Sequence, residues 1–228
     1  MQTGRLPIHV NAHNSNPAIY NASSASGTGA GIPRNMTGVA QKLRSAGYRT
    51  VFTGKWDAGM ATPTHTPAGR GYDSSLNYFH HANDYWSQGD PMGGGCKEKI
   101  GVDLYNTTEP AWGLNTSIKH HNYRNASAYE EAIFHRRLEG EIDQHDPSKQ
   151  PLFVFYAAHL VHLPYQVPQD YLDRASKAGG GPFDNSTKQD AMRMIYHAMV
   201  QYLDDAVVCV YVYMCICVYV YMCICVCV

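Results

Sequence analysis

Residues 1–207 predict an α/β domain around a parallel or mixed sheet, and three observations carry that reading. Two apolar runs, residues 49–53 (RTVFT) and 152–158 (LFVFYAA), have the length and β-branched or aromatic content of strands. Amphipathic stretches of helical period alternate with them, the order expected of strands and helices in layers. Each run then leads into ionisable residues, Lys55 and Asp57 after the first and His162 after the second. Sites in such sheets collect beyond the carboxyl ends of the strands.

The elements follow in order. Residues 1–32 are rich in Gly, Ser, Asn and Ala and read as loop. GIPRNMTGVAQKLRSAGYR reads as a helix. Asn35 or Thr37 is its expected cap, Met36, Val39, Ala40 and Leu43 its apolar stripe, and Gly47 its stop. The first strand follows at once. Residues 58–125 are loop-rich, with Gly, Pro, His and Asn clusters; so long a stretch without periodicity marks functional surface or concealed structure. Residues 129–142 read as a helix with Ile133, Phe134, Leu138 and Ile142 inward, closed by PSKQP. The continuous apolar run 152–158 is typical of a strand covered on both faces. Residues 190–205 form the last helix, with Met194, Ile195, Met199 and Leu203 on one side.

Residues 208–228 are different in kind. They use only Val, Cys, Tyr, Met and Ile, and the unit VYVYMCIC occurs twice, at 210–217 and 218–225. Codons alternating purine and thymine (GTG, TGT, TAT, ATG, ATA) write the whole tract. It reads as a dinucleotide repeat beginning with GT, the product of intron read-through, and the expected organisation is a domain over 1–207 with a low-complexity tail over 208–228. That tail is expected to make no specific contact with the domain. The alternatives are a membrane anchor over the uncharged residues 206–228 and a β-prone aggregating segment. Apart from 206–228, no membrane association is expected.

A net charge of −1 gives no reason to expect nucleic acid or an anionic membrane as partner. Six of the seven cysteines lie in the tail, leaving Cys96, so no disulfide framework is implied. MQTGRLPIHV has no apolar core of a signal peptide. Asn-x-Ser/Thr sequons at Asn21, Asn35, Asn106, Asn115, Asn125 and Asn185 nevertheless favour a glycoprotein of the secretory route.

Lys55 at a strand end suits an anionic group, and equally a solvated surface lysine. His162 suits a general acid or base, and equally a structural histidine bonded to loop backbone. His159 is the packing candidate of the two. The pairs His80-His81 and His120-His121 are poor metal ligands, because neighbours on an extended chain point opposite ways. No Gly-x-Ser-x-Gly elbow occurs.

Taken together and in order, MQTGRLPIHV, GIPRNMTGVAQKLRSAGYRTVFTGKW, TPAGRGYD, DPSKQPLFVFYAAHLVHLPYQVPQDYLD and HAMVQYLDDAV resemble the sulfatase family, within it the arylsulfatase B-like group. The resemblance covers nearly all of 1–207. It implies an alkaline-phosphatase-like fold with a central mixed sheet flanked by helices, of which this chain holds an incomplete part. It implies hydrolysis of sulfate esters of sugars or aryl alcohols, in a lysosomal or extracellular setting. It also implies a calcium ion and a formylglycine nucleophile made from Cys/Ser-x-Pro-x-Arg, a motif placed ahead of Thr3-Gly4-Arg5. The nucleophile and the principal calcium ligands (an Asp-Asp pair upstream and an Asp-Asn pair downstream) are expected to be missing from these residues, so the chain as written is expected to be inactive. By the same resemblance Lys55 binds the sulfate group and His162 assists the leaving oxygen. Asp57 stands where the family has a histidine that holds or deprotonates the formylglycine hydrate. Two other readings are a phosphoester hydrolase of the same superfamily and a non-catalytic, glycosylated or tail-anchored truncation.

Overall fold

The computed structural model describes residues 1–10, 31–89, 101–114, 126–177 and 188–217. A short helix α1 (Pro7–Val10) precedes α2 (Val39–Ser45). The cap of α2 is Gly38, not Asn35 or Thr37. A turn closed by Met36 N–H on the Pro33 carbonyl occupies the expected start, and the Gln41 side chain accepts the Gly38 N–H at 2.7 Å. At the other end Gly47, at φ +88°, allows a Schellman closure: Gly47 N–H bonds the Arg44 carbonyl and Tyr48 N–H the Leu43 carbonyl, both at 3.0 Å.

Five strands form one sheet: β1 (Arg49–Lys55), β2 (Ser74–Tyr78), β3 (Tyr105–Asn106), β4 (Glu109–Pro110) and β5 (Leu152–Ala157). Their order is β4-β3-β2-β1-β5. β1 pairs in parallel with both β2 and β5, whereas β3 and β4 add antiparallel pairs at the far edge, so the sheet is mixed as expected. Within residues 58–125, read as loop, the structure places β2, β3 and β4.

Period-two alternation sends the strand side chains into two cores. Val51, Leu152 and Tyr156 face α3 (Glu130–Asp143) and pack with Phe134, Leu138 and Ile142. Phe52 faces the opposite side, with Ala40 of α2, Trp56 and Tyr72 around it and the half-buried Phe153 and Phe155 packed against them. A third cluster joins Tyr85, Trp86, Tyr129 and Leu160 to Met199 and Tyr202 of α5 (Lys188–Cys217) and to Ala175 of α4 (Gln169–Lys177). β5 is an edge strand among the described residues, which is why Phe153, Val154 and Phe155 are only half-buried and not covered on both faces. Polar residues tie the layers. Glu141 of α3 accepts from Arg49 of β1, Arg137 and Ser74 of β2. Against the burial that would raise it, those partners hold the Glu141 carboxyl below the ordinary carboxylate range.

The last helix is longer than the periodicity of 190–205 suggests. α5 runs through Val207 to Cys217 without a break. Val210 is buried in the α3–sheet core, and the Cys209 thiol lies 3.8 Å from the Glu139 carboxylate. The expectation that the tail touches nothing is therefore corrected for these two residues, and the local backbone is helical rather than extended. One turn beyond Val207, an apolar side chain on the inner face of a helix still meets the core. No helix among the described residues is long and apolar enough to cross a membrane.

Candidate active site

Three parallel strands deliver the candidate residues to one edge. β1 ends in Lys55 and Asp57, β2 runs on into His80 and His81, and β5 runs on into His159 and His162. The end of β1 is shaped by Gly54 at φ +99°, where a Cβ would lie 2.0 Å from the Ala157 carbonyl oxygen. Only glycine fits so close an approach. Trp56 then buries its indole and donates Nε1–H to the carbonyls of Gly59 and His65, each at 2.9 Å. This fixes Asp57 in the left-handed region at φ +42°. After β2, the backbone N–H groups of Phe79 and His80 both donate to the Asp103 carboxylate, which holds the turn that presents His81.

Asp57 Oδ2 lies 3.0 Å from His81 Nδ1 and 3.6 Å from Lys55 Nζ. An ionised carboxylate only accepts, so His81 donates its Nδ1–H to Asp57, and the 3.4 Å approach of Lys55 Nζ to the same nitrogen is proximity, not a hydrogen bond. The His81 ring stands perpendicular to that of His162, with centroids 5.3 Å apart. Lys55 and His162, more than a hundred residues apart in sequence, thus meet at the same edge with His81 between them.

His162 donates Nδ1–H to the Leu163 carbonyl at 2.8 Å, which leaves Nε2 as the proton-exchanging nitrogen. Burial lowers its pKa below the ordinary 6.5, with the Lys55 charge adding to the effect. The resting imidazole is therefore neutral at pH 7, and an arriving anion favours its protonation.

His159 is a packing residue, as its position suggested. Its ring stacks on Tyr85 at 4.0 Å, and Nδ1 lies 2.7 Å from a carboxylate oxygen of Glu130, both side chains fully buried. Burial carries His159 down to about 3 and pushes the Glu130 carboxyl well above its ordinary range, so the pair is neutral and shares one proton. Glu131 accepts the His159 and Leu160 backbone N–H groups, and the Tyr85 hydroxyl donates to the carbonyls of His159 and His162. These bonds set the path of the loop that carries His162.

Sequence reasoning missed His81 as a member of this site and saw the His80-His81 pair only as a weak metal motif. Its signal was hidden with β2. Glu130 and Glu131 were missed as well, because acidic residues in a first helical turn ordinarily face solvent. His120-His121 and Cys96 lie outside the described residues.

The resemblance implies calcium for the complete domain, with its principal ligands expected outside these residues. Calcium takes six to eight oxygen ligands. The site offers the Asp57 carboxylate, already engaged by His81 and Lys55, among nitrogen groups, and no cluster of three or more metal-ligating side chains exists among the described residues. The residues described do not fit that ion.

The sequence model of the sulfatase family matches residues 1–213. The chain belongs to the sulfatase family. It is similar to arylsulfatase J of Mus musculus, 27% identical over 207 residues, covering 90% of this chain and 29% of that protein. It is also similar to an arylsulfatase of Klebsiella aerogenes, 26% identical over 139 residues, covering 61% of this chain and 27% of that one. The crystal structure of Ps i-CgsB in complex with k-i-k-neocarrahexaose superposes with a TM-score of 0.66 at 22% identity, covering 93% of this chain and 42% of the other. That likeness shows the fold: the mixed sheet with helices on its faces is that of the sulfatases, the alkaline-phosphatase-like fold. The chain spans under a third of the curated sulfatases it matches.

Proposed function

We propose that residues 1–207 form the sulfate-recognising part of a sulfuric ester hydrolase, with a sulfated sugar or aryl sulfate as substrate. The observation that carries this reading is the meeting of Lys55, Asp57 and His162 at the carboxyl ends of neighbouring parallel strands. In it Lys55 neutralises a sulfate oxygen, His162 Nε2 supplies a proton to the leaving alcohol oxygen, and Asp57 fixes the surrounding cations. The oligosaccharide held by Ps i-CgsB favours a sulfated glycan over a simple aryl ester. Sequons at Asn35 and Asn106, both exposed, are compatible with a glycosylated protein of the secretory route, lysosomal or extracellular. The division into a domain over 1–207 and a tail over 208–228 belongs to the same proposal.

No Cys-x-Pro-x-Arg or Ser-x-Pro-x-Arg occurs in residues 1–228. In this reading the formylglycine and the calcium that the family resemblance implies are not supplied by the residues described. Covalent catalysis is not replaced by a lysine and a histidine. The 228-residue chain alone is thus expected to bind sulfate and to hydrolyse nothing. The test is calorimetric titration with inorganic sulfate, paired with an assay on a chromogenic aryl sulfate. Sulfate binding that Lys55→Ala weakens about ten- to hundredfold, without turnover, is the expected result. Turnover above that of a Lys55→Ala/His162→Ala control sinks the proposed inactivity, and equal binding by the Lys55→Ala chain sinks the site.

A further inference from the structure

Asp57 poses an electrostatic problem: a carboxylate beside a lysine that is to bind an anion opposes that binding. The geometry offers a resolution through His81. The side chain of His81 is 48% exposed, against 18% for Lys55 and 24% for Asp57, so its ring stands at the open side of the cluster. Its Nδ1–H is committed to Asp57 Oδ2 at 3.0 Å. That bond fixes the tautomer and the ring orientation. The perpendicular ring of His162, 5.3 Å away, borders the same space. Both partners of the Asp57–His81 bond are themselves pinned, Asp57 by the Trp56 turn at φ +42° and His81 by the Asp103 carboxylate under Phe79 and His80. Held this way, the Nε2–H of a protonated His81 is a charge-assisted donor beside the Lys55 ammonium.

We propose that His81, oriented by Asp57, is a second anion-binding residue of this site, contacting the sulfate group of the ester alongside Lys55. Asp57 is then a positioning residue, whose charge acts through the imidazole instead of on the substrate. The inference rests on the reading of this edge as a sulfate-ester site.

The two are separable in one experiment on the 228-residue chain. The imidazole signals of His81 and His162, assigned with His81→Gln and His162→Gln, are followed by NMR at pH 6 during titration with inorganic sulfate, against chloride at equal ionic strength. Both signals are expected to move with a single dissociation constant, and His81→Gln weakens binding about three- to tenfold. Asp57→Ala is the decisive variant. It removes a negative charge, so plain Coulomb repulsion predicts tighter binding, whereas the proposed pair predicts binding about two- to tenfold weaker. The nitrogen-15 pattern of His81 should also lose its Nδ1–H preference in that variant. Tighter binding by Asp57→Ala, or a His81 signal that sulfate leaves in place while His162 moves, overturns the role of His81 and leaves the sulfate site standing. If sulfate moves neither histidine and Lys55→Ala changes nothing, the sulfate-site reading falls and His81 falls with it.

Discussion

Glu130 and His159 share a hydrogen bond of 2.7 Å with neither side chain reaching solvent. The pair lies beneath the loop that carries His162. Burial lowers His159 from 6.5 to about 3 and raises Glu130 well above 4.5; Asp103 and Asp84 add to the latter, while the Asn83 amide opposes it. The unfolded chain protonates the histidine below 6.5, which costs stability as pH falls. The folded chain keeps the Glu130 proton, a contribution fully present below 4.5 and lost as pH rises toward its folded value. Between pH 4.5 and 6.5 the two cancel.

Removing one partner should therefore expose the other. In Glu130→Gln the histidine contribution stands alone, and stability should rise with pH from 4.5 to 6.5 more steeply than in the wild type, by about 1 kcal/mol per pH unit. Other groups common to both proteins, including Glu131, drop out of the difference. Urea unfolding at three pH values measures it, and parallel slopes would show that the two side chains do not share a proton as described.

Sulfate binding should tighten on acidification. His162 has a folded pKa below 6.5, lowered first by burial and then by the Lys55 charge. Its protonation adds a cation to the site, so affinity should increase as pH falls below about 6.5; in His162→Gln this dependence should weaken, leaving the part that His81 supplies, and in His162→Gln/His81→Gln it should flatten. Lys55→Ala should weaken binding about ten- to hundredfold at any pH, the range for a charged hydrogen-bond donor. Affinity that is independent of pH between 7 and 5 in the wild-type chain contradicts the assignment of His162.

Gly54→Ala should destabilise the fold by roughly 2–5 kcal/mol, combining left-handed strain with a clash. The added methyl would meet the Ala157 carbonyl, which belongs to the neighbouring strand. Backbone atoms of paired strands cannot yield as a side-chain tip does. A chemical-denaturation midpoint close to wild type would mean that β1 and β5 separate here at little cost.

Ending the chain at Val207 should leave it folded, with a loss of about 1–2 kcal/mol from Val210, which is buried in the α3–sheet core. Solubility should improve, because the β-prone, charge-free residues 208–228 are gone. Failure of the truncated chain to fold would show that the repeat is part of the domain.

The sequence by itself determined the α/β class, α2 and α3, the strands β1 and β5, and the inward faces of Phe134, Leu138 and Met199. Each of these rests on local periodicity, which a linear string carries. Lys55 and His162 were legible for a related reason, since both follow recognisable strands and strand ends are where sites collect. β2 was not legible. Its buried Ser74, Ser75 and Asn77 look like loop, and what makes them tolerable in a core lies elsewhere in the chain: Glu141 and Arg137 bond Ser74, while Thr107 takes up the Ser75 backbone. With β2 hidden, His81 stood next to nothing in sequence. Only the parallel pairing of β2 with β1 carries it across to Asp57 and Lys55, and only burial under α3 turns Glu130 and His159 into a proton-sharing pair. Such placements depend on contacts between distant segments, and neither local pattern nor composition encodes them.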